Sequence, residues 1–115
     1  MRVLVVEDNA LIAFDVADML SRAGFEVVGP AGTPDEGLRL VESEAPDGAI
    51  LDIDMGRSET TFAVARLLRE RNKQVLFLSG YSEVVHPLPT DLEDVPRLSK
   101  PYDRFEVMDE FASLL

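Results

Sequence analysis

Short apolar runs alternate along this chain with longer stretches whose apolar residues recur every three or four positions, the signature of βα units wound around a parallel sheet. The runs are Val3–Val6, Phe25–Gly29, Gly48–Ile53, Gln74–Ser79 and a short Arg97–Ser99. Gly48–Ile53 is apolar on both faces until it meets carboxylates, as a strand covered by helices on both sides requires. Between the first two runs, Ile12, Val16, Met19, Leu20 and Ala23 share one helical face, Asp15, Asp18 and Arg22 the other, and Gly24 suits the left-handed position that ends a helix. Thr33, Pro34 and Glu36 form a cap, a first-turn proline and a capping acid for a second helix. Val64, Leu67 and Leu68 mark the buried side of a third. A last helix is predicted from Asp103, with Glu106 completing its cap and Phe105, Met108, Ala112 and Leu115 on the buried face.

The stretch Ser82–Pro96 breaks the pattern. Pro87, Pro89 and Pro96, with Asp91, Glu93 and Asp94, leave little room for a regular helix, so a loop or one distorted turn is expected. Pro96 at the start of a fifth strand is tolerable only at the sheet edge.

At 115 residues and 46% hydrophobic content, one domain spanning residues 1–115 can build one core. Twenty-two acidic residues against eleven Lys and Arg give a formal charge of −11, which repels nucleic acid and anionic lipid alike. With no Cys and a single His, disulfides and thiolate or structural zinc sites are excluded. Val3–Val6 is too short for a signal peptide or a membrane span, so a cytoplasmic protein is expected.

In parallel α/β sheets ligands bind beyond the carboxyl ends of the strands. At those ends stand Glu7 and Asp8, Asp52 and Asp54, Ser79-Gly80-Tyr81, and Ser99-Lys100-Pro101. Carboxylates gathered there repel one another unless a cation intervenes, and hard oxygen ligands favour Mg²⁺. Beside such a cation a carboxylate can attack phosphorus, with Lys100 offsetting charge on the equatorial oxygens, to give an aspartyl phosphate.

The runs Val3-Leu4-Val5-Val6-Glu7-Asp8, Ile50-Leu51-Asp52, Leu78-Ser79-Gly80 and Lys100-Pro101 resemble the receiver domain of bacterial two-component response regulators. Four separated motifs occur in the family's order, Asp52 following Asp8 by 44 positions and Lys100 following Ser79 by 21. The resemblance implies a flavodoxin-like, doubly wound sheet of five parallel strands in the order 2-1-3-4-5; helix four is expected to be short, distorted or missing. It implies that Asp52 takes a phosphoryl group from the phosphohistidine of a sensor kinase or histidine phosphotransfer protein. Glu7, Asp8, Asp52 and the carbonyl of Asp54 would hold Mg²⁺, Ser79 would bond a phosphoryl oxygen, and Lys100 would pair with it. Phe77-Leu78-Ser79-Gly80-Tyr81 is also similar to a subset of receivers common in alphaproteobacteria, which often work with an atypical class of histidine kinases.

Three features depart from the family. The chain reads Asp54-Met55-Gly56-Arg57-Ser58-Glu59 where a proline and then a glycine usually follow the aspartate. Arg97 replaces the usual switch aromatic, leaving Ser79 and Tyr81 as switch candidates, and loss of helix four removes part of a common dimer surface, so a monomer is expected.

Each residue also has a plainer reading. Glu7 and Asp8 suit a helix start, Asp52 a strand end, Ser79 a backbone-satisfying hydroxyl, Lys100 a solvated charge and His86 a surface side chain. Only their meeting at one rim favours chemistry.

The leading expectation is a stand-alone receiver that switches its binding to a downstream protein, without enzymatic turnover beyond its own phosphorylation and dephosphorylation. A degenerate receiver acting without phosphate is the alternative. An Asp-x-Asp phosphatase, suggested by Asp52-Ile53-Asp54, stands further behind, and a flavin-binding role is discarded because Glu7 and Asp8 would repel a flavin phosphate.

Overall fold

Five parallel strands, in the order β2-β1-β3-β4-β5, form one sheet. The computed structural model describes residues 1–53, 55–56, 59–80, 87–99 and 103–115. The elements are β1 (Arg2–Val6), α1 (Ala10–Arg22), β2 (Glu26–Ala31), α2 (Pro34–Glu44), β3 (Gly48–Asp52), α3 (Phe62–Glu70), β4 (Gln74–Ser79), a 3-10 turn (Thr90–Leu92), β5 (Arg97–Ser99) and α4 (Arg104–Ser113). This is the doubly wound, flavodoxin-like arrangement, and the order in which successive strands are added reverses between β1 and β3.

Alternate residues of the central strands feed two cores. Leu4, Val6, Ala49, Leu51, Val75 and Phe77 pack under α2 and α3 with Val41, Val64 and Leu68. Val3, Val5, Ile50, Leu76 and Leu78 pack under α1 and α4 with Val16, Leu20, Val107 and Phe111. A strand buried on both faces has no polar side, which is why the runs read as continuous apolar stretches.

Local signals set most boundaries. Thr33 Oγ1 accepts from the Glu36 amide at 3.1 Å, with Pro34 opening α2. Asp103 Oδ1 accepts from the Glu106 amide at 2.9 Å and starts α4. In α1, Ala13 is buried and Ile12 only half-buried, while Ala23 is the exposed C-cap. β2 begins at Glu26 and runs on to Ala31, past the predicted end at Gly29, because an edge strand admits Pro30. Gly29 sits at φ 92°, where an added Cβ would lie 2.7 Å from the Ala31 nitrogen.

The prediction for the last helix needs correcting. Phe105 is 76% and Leu115 56% exposed, and Ala112 faces solvent; Val107 and Phe111 are the buried pair, with Met108 half-buried beside them. Two apolar stripes run along this helix, and docking selects the one carrying Phe111. Its ring meets Phe25 edge-on at 5.7 Å and lies against Gly48, where a Cβ would sit 3.1 Å from Phe111 Cζ.

No full helix stands in the described part of the β4–β5 crossover, which holds the single 3-10 turn. Leu92 and Val95 insert into the core, and two forked pairs from α3 flank them: Arg66 to Asp91 at 2.8 and 3.2 Å, and Arg69 to Asp94 at 3.2 and 2.8 Å. β5 is the edge strand, as Pro96 demands, and the Pro96 carbonyl accepts from the Phe77 amide at 2.9 Å.

Candidate functional site

β1 delivers its acids to the carboxyl rim of the sheet. The Glu7 amide donates to the Ala31 carbonyl at 2.9 Å, prolonging the strand, and its side chain is 6% exposed. Asn9 is the residue that caps α1: its Oδ1 accepts from the amides of Leu11 and Ile12 at 3.0 and 3.2 Å. Glu7 and Asp8 therefore stand outside the helix and are free of the capping duty that their position suggests. The Asn9 amide donates to Glu7 Oε2 at 3.0 Å, fixing that carboxyl group in place.

Asp52 ends β3 beside them. One carboxylate oxygen each from buried Glu7, exposed Asp8 and half-buried Asp52 lie within 4.8 Å of one another. Burial pushes the Glu7 pKa up from 4.5 to about 8, and the Asp52 and Asp8 charges add to that rise while the Asn9 amide opposes it. Three acids this close, without a cation, hold a proton at neutrality; a hard divalent ion would take its place. The donor set suits Mg²⁺, since all its atoms are carboxylate oxygens.

Gly56, in the segment after β3, comes close to Asp8 of this cluster. Gly56 adopts φ 75°, and a Cβ there would lie 3.5 Å from Asp8 Oδ2. Bonds from the Met55 amide to the Glu59 carbonyl, 3.1 Å, and from the Glu59 amide to the Gly56 carbonyl, 2.8 Å, hold the turn, with Met55 buried beneath. Asp54 lies outside the described residues, as do Tyr81, His86 and Lys100.

Ser79 ends β4 at the same rim. Asp52 is paired with Leu78, so Ser79 stands one residue further out; it is fully buried, and its Oγ lies 3.4 Å from Ser99 Oγ on β5. Arg97 is half-buried on the edge strand, opposite Phe77.

Two residues at the site escaped the sequence reading. Asn9 had a legible signal, a cap residue directly before a helical period. Thr61 had none: it is completely buried and donates its hydroxyl to the Asp52 carbonyl at 2.7 Å, across nine positions of chain.

Comparison with known proteins gives a consistent result. A model described as response regulator receiver domain matches residues 3–111. Transcriptional regulatory protein PdtaR of Mycobacterium tuberculosis is 38% identical over 82 residues, 71% of this chain and 40% of its own length. A protein-glutamate methylesterase/protein-glutamine glutaminase of Archaeoglobus fulgidus is 35% identical over 83 residues, 72% of this chain and 24% of its own. The chain thus spans less than half the length of these curated relatives. The solution structure of SdrG from Sphingomonas melonis Fr1 superposes with a TM-score of 0.83 at 32% identity, covering 99% of this chain and 95% of that one. The response regulator PhyR from Brucella abortus gives a TM-score of 0.71 at 28% identity, covering 97% of this chain and 51% of that one.

Among the described residues no helix is long and apolar enough to cross a membrane. The strand order, the acidic rim and the sequence match extend over the same stretch of polypeptide, and together they make this chain a member of the response regulator receiver domain family.

Proposed function

We propose that this receiver is a phosphorelay acceptor in which Asp52 takes the phosphoryl group from the phosphohistidine of a sensor histidine kinase or histidine phosphotransfer protein. The observation that carries the reading is the meeting of Glu7, Asp8 and Asp52 within 4.8 Å, with Glu7 raised to about 8. Such a cluster is poised for a cation, and receiver domains generally bind Mg²⁺ at an acidic pocket.

Glu7, Asp8, Asp52 and the carbonyl of Asp54 would hold the ion, which when bound offsets negative charge on the phosphoryl oxygens. An Asp52 carboxylate oxygen attacks phosphorus in line; the new O–P bond forms as the P–N bond breaks, and the imidazole departs with that electron pair. Lys100 pairs with the transferred group and Ser79 donates its hydroxyl to one of its oxygens. Ser79 and Tyr81 are the switch candidates, because phosphate shifts a conformational equilibrium only through contacts that differ between its two states. The output is altered binding to a downstream protein by a cytoplasmic, monomeric receiver spanning residues 1–115, with neither nucleic acid nor membrane as a partner.

The test is intact-mass measurement after incubation with Mg²⁺ and a small phosphodonor. Wild type gains one phosphate, labile in base, and Asp52→Asn gains none; no gain in wild type, or an equal gain in the variant, refutes the assignment. Lys100→Ala and Ser79→Ala label more slowly.

Arg97, in place of the family's switch aromatic, supports a second reading in which the chain binds its partner without phosphate. Equal partner affinity for the phosphorylated and unphosphorylated forms selects that reading; a difference rejects it.

A further inference from the structure

We infer that Thr61 is a positioning residue for the acceptor: its buried hydroxyl anchors the backbone carbonyl of Asp52, and with it the end of β3 beside the acidic cluster. The inference rests on the reading of Asp52 as the phosphoryl acceptor and extends it to a residue outside the site's charged groups.

The reason is geometric. The Ile53 amide donates to the Leu78 carbonyl on β4 at 3.0 Å. Across a trans peptide the Asp52 carbonyl points the opposite way, towards β1. The pairing of β1 with β3 stops at Val6 and Leu51, one residue short of Asp52. On the β1 side the pairing therefore ends just before Asp52, and on that side the Thr61 hydroxyl bonds the carbonyl at 2.7 Å.

Thr61 gives up another role to do this. It occupies the N-cap of α3, and its own carbonyl accepts the first helical bond from the Ala65 amide at 3.0 Å, yet its side chain makes no capping bond. A threonine there ordinarily turns its oxygen to an amide of the first turn and stabilises the helix. Here the hydroxyl of the fully buried Thr61 turns back to the half-buried Asp52. The α3 start and the β3 end are thus joined directly. Because acceptor and metal ligands must be held to a fraction of an ångström, a slack β3 end costs rate even though no charge is lost.

Thr61→Val keeps shape and β-branching but removes the donor; Thr61→Ser keeps the donor and removes the methyl group. Three readouts apply: initial labelling rate from a small phosphodonor, Mg²⁺ affinity by calorimetry, and amide hydrogen exchange at Ile53 and Met55 in metal-free protein, all below the lowest melting temperature of the set. Thr61→Val is expected to label about tenfold more slowly, to bind Mg²⁺ more weakly and to exchange faster at both amides, while Thr61→Ser retains most of the wild-type behaviour. Should Thr61→Val not fold, Thr61→Ala against Thr61→Ser supplies the same comparison of hydroxyl with none. Wild-type labelling, affinity and exchange in the hydroxyl-free variants overturn the inference, as does a Thr61→Ser protein as impaired as they are, which would assign the effect to packing. If wild type itself is never labelled, the acceptor reading fails, while Mg²⁺ affinity and amide exchange still decide whether Thr61 holds the end of β3.

Discussion

Glu7→Gln removes a carboxyl group whose ionisation the fold opposes. The ordinary glutamate value is 4.5 and the folded, metal-free protein holds Glu7 at about 8, chiefly through burial. A group whose folded-state pKa is raised stabilises fully below its unfolded value and loses that contribution as pH rises through the folded one. The window therefore runs from 4.5 to about 8. Inside it the metal-free wild type loses up to about 1.4 kcal/mol per pH unit, so about 2.5 units into the window, at neutrality, the loss is at most about 3 kcal/mol. Glutamine retains an oxygen to accept the Asn9 amide and never ionises. Wild type and Glu7→Gln should therefore be equally stable at about pH 4, below the window, and diverge by about 2–3 kcal/mol at neutrality, in favour of the variant. For a chain of this length that is roughly 10 °C in melting temperature. Thermal melts and urea titrations in chelator at the two pH values measure it, and saturating Mg²⁺ should reverse the order by stabilising wild type alone. A variant shifted equally at both pH values, or a wild type whose stability is flat across the window, would refute the reasoning, because either result removes the buried proton from the account.

Further predictions concern the corrected last helix and the crossover. Phe111→Ala should cost about 3–5 kcal/mol in urea unfolding, and Phe105→Ala less than about 0.5 kcal/mol; comparable losses would mean that α4 docks on its other stripe. Replacing both Arg66 and Arg69 with alanine should speed amide exchange at Leu92 and Val95 while leaving β1 and β3 protected, and unchanged exchange there would show that the buried side chains alone hold the segment. Their arginine partners hold the carboxyl groups of Asp91 and Asp94 below the ordinary 3.8. The clasp is therefore present above that value and lost as pH falls below it, and protection of the same two amides, relative to their intrinsic exchange rates, should fall there.

The alternation of apolar runs with helical periods, and the caps at Thr33 and Asp103, were legible because each signal sits within a few residues of the structure it produces. Where two local patterns competed, sequence could not choose between them. Residues 105, 108, 112 and 115 form as good a stripe as the one containing Val107 and Phe111. The choice belonged to Phe25 and Gly48, far away in the chain, which accommodate the Phe111 ring.

The site divides in the same way. That acids stand at the ends of β1 and β3 follows from sequence alone, since a strand's last residue is fixed by its own apolar run and parallel strands bring their carboxyl ends to one rim. That Glu7 is buried and that Thr61 meets the Asp52 carbonyl depend on how the loops fold back over the sheet. Periodicity reports which face a residue takes, and burial and cross-chain hydrogen bonds appear only once the elements have packed. The amino-acid order thus determined which groups come to the rim, and the tertiary structure decided the protonation of Glu7 and the anchoring of the Asp52 carbonyl.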